Sequence, residues 1–409
     1  MISFSRRLKS ASLYGSQQYS SPVAENIWTG RRVVTKDNIG VSNQSKAGTL
    51  LNPEYGVIFD PSIGTFSIKR HLRSTYITLA GKLSWFGIET SKGVRDFTYL
   101  DAWVNDNIVA GVDSMYELCV TPDWANGVMV AGRHNLAPTS LADFADWVVA
   151  VGTRYNGIIK YWYVANEPNF AGSPDTTWID TSVKYAECTR IASQILKYIN
   201  QANQVTGCEQ SNIHPYWNTN TTVAFLNSSA AGFDTGPYIG LGTGTATGLG
   251  TGTTGKDWVD IISIHAYNDT NGDNGNVVYK NINQWPDLRA KLSTAGVASK
   301  PLWVSEIASV APTGLIDEVE FLMNSCVLSL TVGNVDKWFY FYWTSNYNGW
   351  GWDSLQGRQH RAVWDMFMSK LFASPIVKVD VLHNGKWQMT QENSDKTVLS
   401  FNCKDIGTI

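Results

Sequence analysis

The sequence predicts an α/β protein built as a (β/α)8 barrel of the TIM type, and three observations predict it. Short apolar runs alternate with amphipathic stretches along most of the chain, the rhythm of β/α units around a parallel sheet. The clearest of those runs are almost continuously apolar, as strands buried on both faces must be. Eight candidate strands can be counted, and 409 residues is a length that such a barrel with long loops and a small appendage would fill.

The elements follow in chain order. Ile39–Ser42 and Phe66–Arg70 are the first, weaker strand candidates, and Ser114–Thr121 (SMYELCVT) is the third and a clear one. Tyr161–Asn166 (YWYVAN), Gly207–His214, Val259–His265 (VDIISIH), Leu302–Glu306 (LWVSE) and Trp338–Trp343 (WFYFYW) complete the eight. Between them, Tyr99–Val109, Leu141–Tyr155, Thr181–Ala202, Ile282–Ala295, Leu315–Leu330 and Arg361–Phe372 show helical periodicity. In the third of these, Cys188, Ile191, Ala192, Ile195, Leu196 and Ile199 recur at steps of three and one, drawing a single apolar stripe. Thr139 or Ser140, following Pro138, is the expected N-cap of Leu141–Tyr155.

Two stretches break the rhythm. The Gly/Thr-rich run 235–255 cannot bury a core and reads as a long connection into the sixth strand. After Ser374, short alternating runs separated by the turn signals His383-Asn384-Gly385 and Glu392-Asn393-Ser394 predict a small antiparallel β appendage. The expected organisation is therefore an N-terminal extension over 1–30, the barrel over 31–373 and the appendage over 374–409.

Composition narrows the function. With 16% charged residues and a formal net charge of −3, the chain is neither a disordered segment nor a basic nucleic-acid binder. No stretch has the roughly 20 consecutive apolar residues of a membrane span, so membrane insertion is not expected. Polar residues follow the positive charges near the N-terminus where a signal peptide needs an apolar run, so no secretory signal is expected either. The five cysteines are widely spaced and predict reduced core thiols rather than a disulfide framework. No Cys/His cluster has zinc spacing, and no glycine fingerprint for a nucleotide follows a strand, so neither metal nor organic cofactor is expected.

In a parallel β/α barrel the functional site forms at the carboxyl ends of the strands, where a polar residue ending an apolar strand stands out. The fourth strand ends in Asn166-Glu167-Pro168, with Pro168 stopping the ladder because it has no N–H to donate; the seventh ends in Ser305-Glu306. Alone, either glutamate among 35 acidic residues is an ordinary loop or capping acid. Together, three strands apart in a circle of eight, they should face each other across the mouth as a catalytic pair.

These residues resemble the clan A retaining glycoside hydrolases, which carry an Asn-Glu pair after strand four and a Glu after strand seven. The family 39-like members show the greater similarity, through Leu100-Asp101-Ala102-Trp103, Thr121-Pro122-Asp123-Trp124-Ala125, Ile264-His265-Ala266-Tyr267 and Trp343, over about residues 60–370. The resemblance implies that Glu167 is the general acid/base and Glu306 the nucleophile of a double displacement, the carboxyl groups standing about 5–5.5 Å apart. A second ionised carboxylate nearby would help keep Glu167 protonated. It further implies that Asn166 binds the sugar 2-hydroxyl, that Tyr267 bonds the nucleophile, that His265 touches substrate or its supports, and that Arg70 orients the nucleophile. Read without the resemblance, His265 is a core histidine on an apolar strand, and Arg70 belongs to a surface basic cluster with Lys69, His71 and Arg73.

Aromatics would supply the substrate side, because apolar faces of sugar rings stack on indole. Trp343, at the end of the eighth strand, is the expected platform under the cleaved sugar, with Trp350 and Trp352 in the NYNGWGWDS loop and Trp124 as further contacts; Trp85 reads equally well as core. The expected partner is a polysaccharide or oligosaccharide, preferentially bacterial exopolysaccharide or capsule and otherwise plant-type xylan. Action outside the cell, even as part of a larger particle such as a phage tail, would reconcile a polymeric substrate with the lack of a signal. A catalytically inert carbohydrate-binding or structural barrel, or a transglycosylase using the same residues, is the competing reading.

Overall fold

The structure, a computed structural model, describes residues 23–44, 67–72, 79–126, 136–168, 178, 180–210, 219–229, 254–266, 277–307, 315–342, 367–382 and 387–392. Eight parallel strands close into a barrel: β2 (Ile39–Gln44), β3 (Ile68–Leu72), β4 (Asp113–Glu117), β5 (Tyr161–Tyr163), β6 (Gln204–Gln210), β7 (Ile261–His265), β8 (Leu302–Ile307) and β9 (Lys337–Tyr342). β9 pairs with β2, Ile39 opposite Trp338 through Asn43 opposite Tyr342, and so closes the circle. These are the eight strands expected, so β5 and β8 are the fourth and seventh of the barrel.

Helices cover the outside, including α1 (Thr98–Val109), α2 (Leu141–Arg154), α3 (Ser182–Ile199), α4 (Val277–Thr294) and α5 (Leu315–Leu330). Ser140 caps α2, its hydroxyl accepting from the Asp143 N–H at 3.2 Å, and Thr181 caps α3 in the same way. The stripe read from the sequence of α3 is buried through Leu196, with Ile199 partly buried against the same core. No helix of the described residues is long and apolar enough to cross a membrane. Cys119, Cys188, Cys208 and Cys326 are buried free thiols, while Cys403 and most of the Gly/Thr run lie outside the described residues.

The barrel interior is plugged by a separate set of side chains: Ile68, Met115, Tyr161, Tyr163, Ile261, Trp303 and Phe339. Gly40 makes room for this plug. A Cβ there would come within 2.5 Å of the Phe339 ring and 2.8 Å of Ile68. The plug forms a dry floor, and polar side chains collect above it at the carboxyl ends of the strands.

The appendage is a three-stranded antiparallel sheet in the order β1 (Val23–Arg32), β10 (Ile376–Leu382), β11 (Trp387–Gln391). It draws on both ends of the chain: most of β1 lies in the stretch expected as an N-terminal extension over 1–30, and β10 and β11 lie in the appendage expected over 374–409. The apolar/polar alternation of β1 is poor, and its partner lies more than three hundred residues away, so nothing local announces the pairing. Asn26 donates to Asp380 at 2.9 Å within the sheet, and Arg32 donates to the Val335 carbonyl at 2.7 Å, joining sheet to barrel.

Candidate active site

Arg70 sits at the centre of the site. Ile68 and Arg70 share the inward face of β3, one forming floor and the other reaching up into the mouth. The guanidinium is wholly buried, which corrects the reading of a surface basic cluster. It donates to Glu306 Oε2 at 2.8 Å, to Asn166 Oδ1 at 2.5 Å and to Glu209 Oε2 at 2.9 Å, and stacks 4.4 Å over the Tyr163 ring. Burial works against its charge, but Tyr163, Glu209, Glu306 and Glu117 together keep the guanidinium protonated more firmly than in water.

The two glutamates singled out from the sequence meet here. A carboxylate oxygen of Glu167, one of Glu306 and a ring nitrogen of His265 lie within 4.8 Å of one another. Glu306 is almost fully buried, and Glu167 keeps about a quarter of its side chain exposed, so one acid lies deep and the other nearer the opening. His265 Nδ1 is 2.9 Å from Glu167 Oε1 and 3.8 Å from Glu306 Oε2. Such spacing would also suit a cation, but Glu306 Oε2 already accepts from Arg70, and the guanidinium supplies the positive charge an ion would bring.

Irregular backbone aims these groups. Alternation along a regular strand would point Ser305 and Glu306 to opposite faces. Register shifts between Ile264 and His265 on one flank, and between Val304 and Ile307 on the other, let both reach the site. Glu167 has a positive φ of 47°, as β5 gives way to its loop.

Glu117, Glu209 and Ser305 belong to the same network and escaped the sequence reading. Glu209, on β6, is wholly buried and accepts from Arg70, from Ser305 Oγ at 2.8 Å and from Thr206 Oγ1 at 2.7 Å. Although burial favours the neutral acid, Arg70, His265 and Thr206 outweigh it and hold the carboxyl down at about 2. Glu117, also buried, accepts the Asn166 N–H at 2.9 Å and the Tyr163 hydroxyl at 3.4 Å. His265 responds to this surplus of carboxylates. Burial opposes its charge, but Glu306, Glu167 and Glu209 prevail and raise it to about 9.

The remaining expected residues fall elsewhere. Trp124, in the short helix Asp123–Asn126, is half-buried; its N–H donates to the Glu89 carbonyl at 2.7 Å and its ring meets Trp85 edge-on. Trp85 is fully buried and stacks on Trp147, which makes it core. Tyr267, Trp343, Trp350 and Trp352 lie outside the described residues.

Fold and site thus define a (β/α)8 barrel with a buried Arg–carboxylate–imidazole network at the carboxyl ends of its strands. No protein-family model and no curated protein matches the sequence. Solved structures do share the fold. A monomeric β-xylosidase from Caulobacter crescentus is 15% identical, with a TM-score of 0.59 over 90% of this chain and 77% of that one. A family 39 glycoside hydrolase from Bacteroides cellulosilyticus is 16% identical, with a TM-score of 0.56 over 87% and 70%. A family 30 endoxylanase from Clostridium papyrosolvens is 15% identical, with a TM-score of 0.51 over 89% and 81%.

Proposed function

We infer that the chain is a retaining glycoside hydrolase cleaving glycosidic bonds in a polysaccharide, with Glu167 as general acid/base and Glu306 as nucleophile. The observation that carries this reading is the approach of the two carboxylates to within 4.8 Å at the ends of the fourth and seventh barrel strands. Retaining enzymes place their carboxyl groups about 5–5.5 Å apart, whereas inverting ones need roughly 6.5–9.5 Å to admit a water. The neighbouring glycosidase folds support the class.

Each buried group then has a task. Arg70 aims Glu306, donating to it at 2.8 Å, so that its oxygen attacks the anomeric carbon while Glu167 protonates the departing oxygen. Water, relieved of its proton by Glu167, next displaces Glu306 from the covalent intermediate. Because Asn166 Oδ1 is engaged by Arg70, Nδ2 is the end of that amide able to donate to a sugar hydroxyl. Tyr267 and Trp343 complete the reading as nucleophile partner and sugar platform. The wealth of tryptophan favours a polymer, preferentially a bacterial exopolysaccharide or capsule, with xylan the alternative.

The test compares wild type with Glu306→Gln on a panel of bacterial and plant polysaccharides, reading released reducing ends. Release by wild type alone supports class, nucleophile and substrate together. Binding of a polymer without release by either protein overturns the hydrolase reading in favour of an inert barrel, and oligosaccharides longer than the starting chains indicate transglycosylation.

A further inference from the structure

We propose that Glu209 is a positioning residue of this site, an ionised carboxylate that holds His265 as an imidazolium whose Nδ1–H is presented to Glu167. The proposal rests on the reading of Glu167 as the acid/base. It extends that reading to a strand, the fifth of the barrel, whose end the assigned roles leave unused.

The backbone is the first observation. Cys208 and Glu209 both have positive φ, 85° and 37°, a conformation that residues with side chains rarely adopt. The register between β6 and β7 slips at this point, between Cys208 and Gln210. A bulge here re-aims one side chain without moving the strand. What it gains is two links to the same residue. The Glu209 carbonyl accepts the Glu167 N–H at 2.9 Å, fixing the turn that carries the acid. The Glu209 side chain reaches His265, which in turn meets the Glu167 carboxyl.

The second observation is the arrangement around His265 Nε2. Glu209 Oε2 lies 3.4 Å away and needs a proton on that nitrogen; Arg70 Nη2 lies 3.3 Å away and would need a lone pair there. The two demands conflict. Arg70 Nη2 already has Asn166 Oδ1 and Glu209 Oε2 as acceptors, so it does not depend on the histidine. Among the described residues, the charged groups shown facing the ring are Arg70 from β3, Glu167 after β5, Glu209 from β6 and Glu306 from β8. Three carboxylates against one cation favour protonation of both nitrogens. Glu209 is the one of the three that stays fixed, because Arg70, Ser305 and Thr206 pin it and the reaction does not consume it.

An imidazolium against Glu167 changes the acid's behaviour. The pair shares a proton, so the acid's availability follows a titration that belongs to the pair and not to Glu167 alone. Removing the charge of Glu209 should therefore move His265 first and the acid second.

The test reads His265 directly, without substrate. Imidazole resonances of protein labelled in histidine are followed through pH 5–10, assigned by their loss in His265→Asn, in wild type, Glu209→Gln and Glu209→Asp. The expected result is a wild-type midpoint well above 7, lowered by about one pH unit or more in Glu209→Gln and largely kept in Glu209→Asp. A wild-type midpoint at or below the ordinary 6.5 overturns the proposal, even if Glu209→Gln does not fold. A midpoint unchanged in folded Glu209→Gln overturns it too. On the polymer that wild type degrades, Glu209→Gln should lose kcat more than it raises KM and shift the alkaline limb downwards. If no polymer is degraded, the glycosidase reading fails while the titration still decides the place of Glu209.

Discussion

Arg70 Nη1 lies 2.8 Å from Glu306 Oε2, and its other terminal nitrogen lies 2.9 Å from Glu209 Oε2, so one buried cation joins the proposed nucleophile to a carboxylate the reaction does not touch. A buried charge stripped of its partner costs about 3–5 kcal/mol, more than a replacement of similar volume recovers. Arg70→Met should therefore lower the unfolding free energy by that order. Arg70→Lys keeps the charge but not the planar fork, so it should fold and lose about 10²-fold or more in kcat/KM. Urea denaturation and steady-state kinetics on both variants check this. Arg70→Lys with wild-type kinetics would remove Arg70 from the reaction.

For Glu167 the informative substitution is to alanine. Its side chain is partly exposed and spans the gap between His265 and the opening, so truncation should leave the fold intact. Activity on natural polymer should fall by about 10²–10⁴-fold, the typical worth of general acid/base catalysis. An aryl glycoside with a good leaving group needs no proton in the first step, and azide can then take the place of activated water. Rescue by azide, with the azide adduct identified by NMR, is the expected outcome; full activity on polymer would assign the acid elsewhere.

The two candidate glutamates stand out in the sequence because each ends an apolar run, while the roles proposed for them follow from a family resemblance. Asn166-Glu167 and Ser305-Glu306 stand where YWYVA and LWV stop, and in the structure β5 and β8 give way close by. Glu209 and Glu117 obey the same rule and were missed for a physical reason. Hydrophobic patterning extends the third strand to Thr121 and the fifth to His214, whereas pairing stops at Glu117 and Gln210. Both acids were thereby placed inside strands instead of at their ends. The LCV that follows Glu117 is buried beyond the regular strand, Leu118 and Cys119 still donating to the Tyr163 and Val164 carbonyls, and burial is all that an apolar run reports. Bulges leave no trace in hydrophobicity, which also hid how Ser305 and Glu306 reach one site. The pairing of β1 with β10 was illegible because it depends on contacts between chain ends.

The network also predicts how stability follows pH. Glu209 is held at about 2, below its ordinary 4.5, so its contribution is present above pH 4.5 and lost as pH falls towards 2. His265 is raised from 6.5 to about 9, so its contribution is present below pH 6.5 and lost as pH rises through 9. From these two groups, stability should be greatest between about pH 4.5 and 6.5 and decline on either side. The alkaline decline is the distinctive part, since removal of His265 should abolish it. Urea midpoints of wild type and His265→Asn between pH 5 and 10 check this. Parallel alkaline slopes in the two proteins would show that the imidazole is not held charged.

The floor beneath the site makes a prediction of its own. Gly40 faces Phe339 across the β2–β9 pair that closes the barrel, and a methyl group there would press within 2.5 Å of the ring. Phe339 cannot simply swing away, because Trp303 packs against it at 5.6 Å between ring centroids, and Ile68 crowds the same methyl at 2.8 Å. Overpacking of this kind costs about 1–3 kcal/mol. Gly40→Ala should therefore lower Tm by several degrees, and adding Phe339→Leu should recover part of the loss by vacating the volume the methyl needs. Phe339→Leu alone should also destabilise, by leaving a cavity in the floor of the barrel. The double mutant should thus be more stable than the sum of the two single losses, a positive coupling readable from four melting curves, wild type included. If the losses merely add, Gly40 is not what admits Phe339 to the barrel, and the floor is set by something other than this contact.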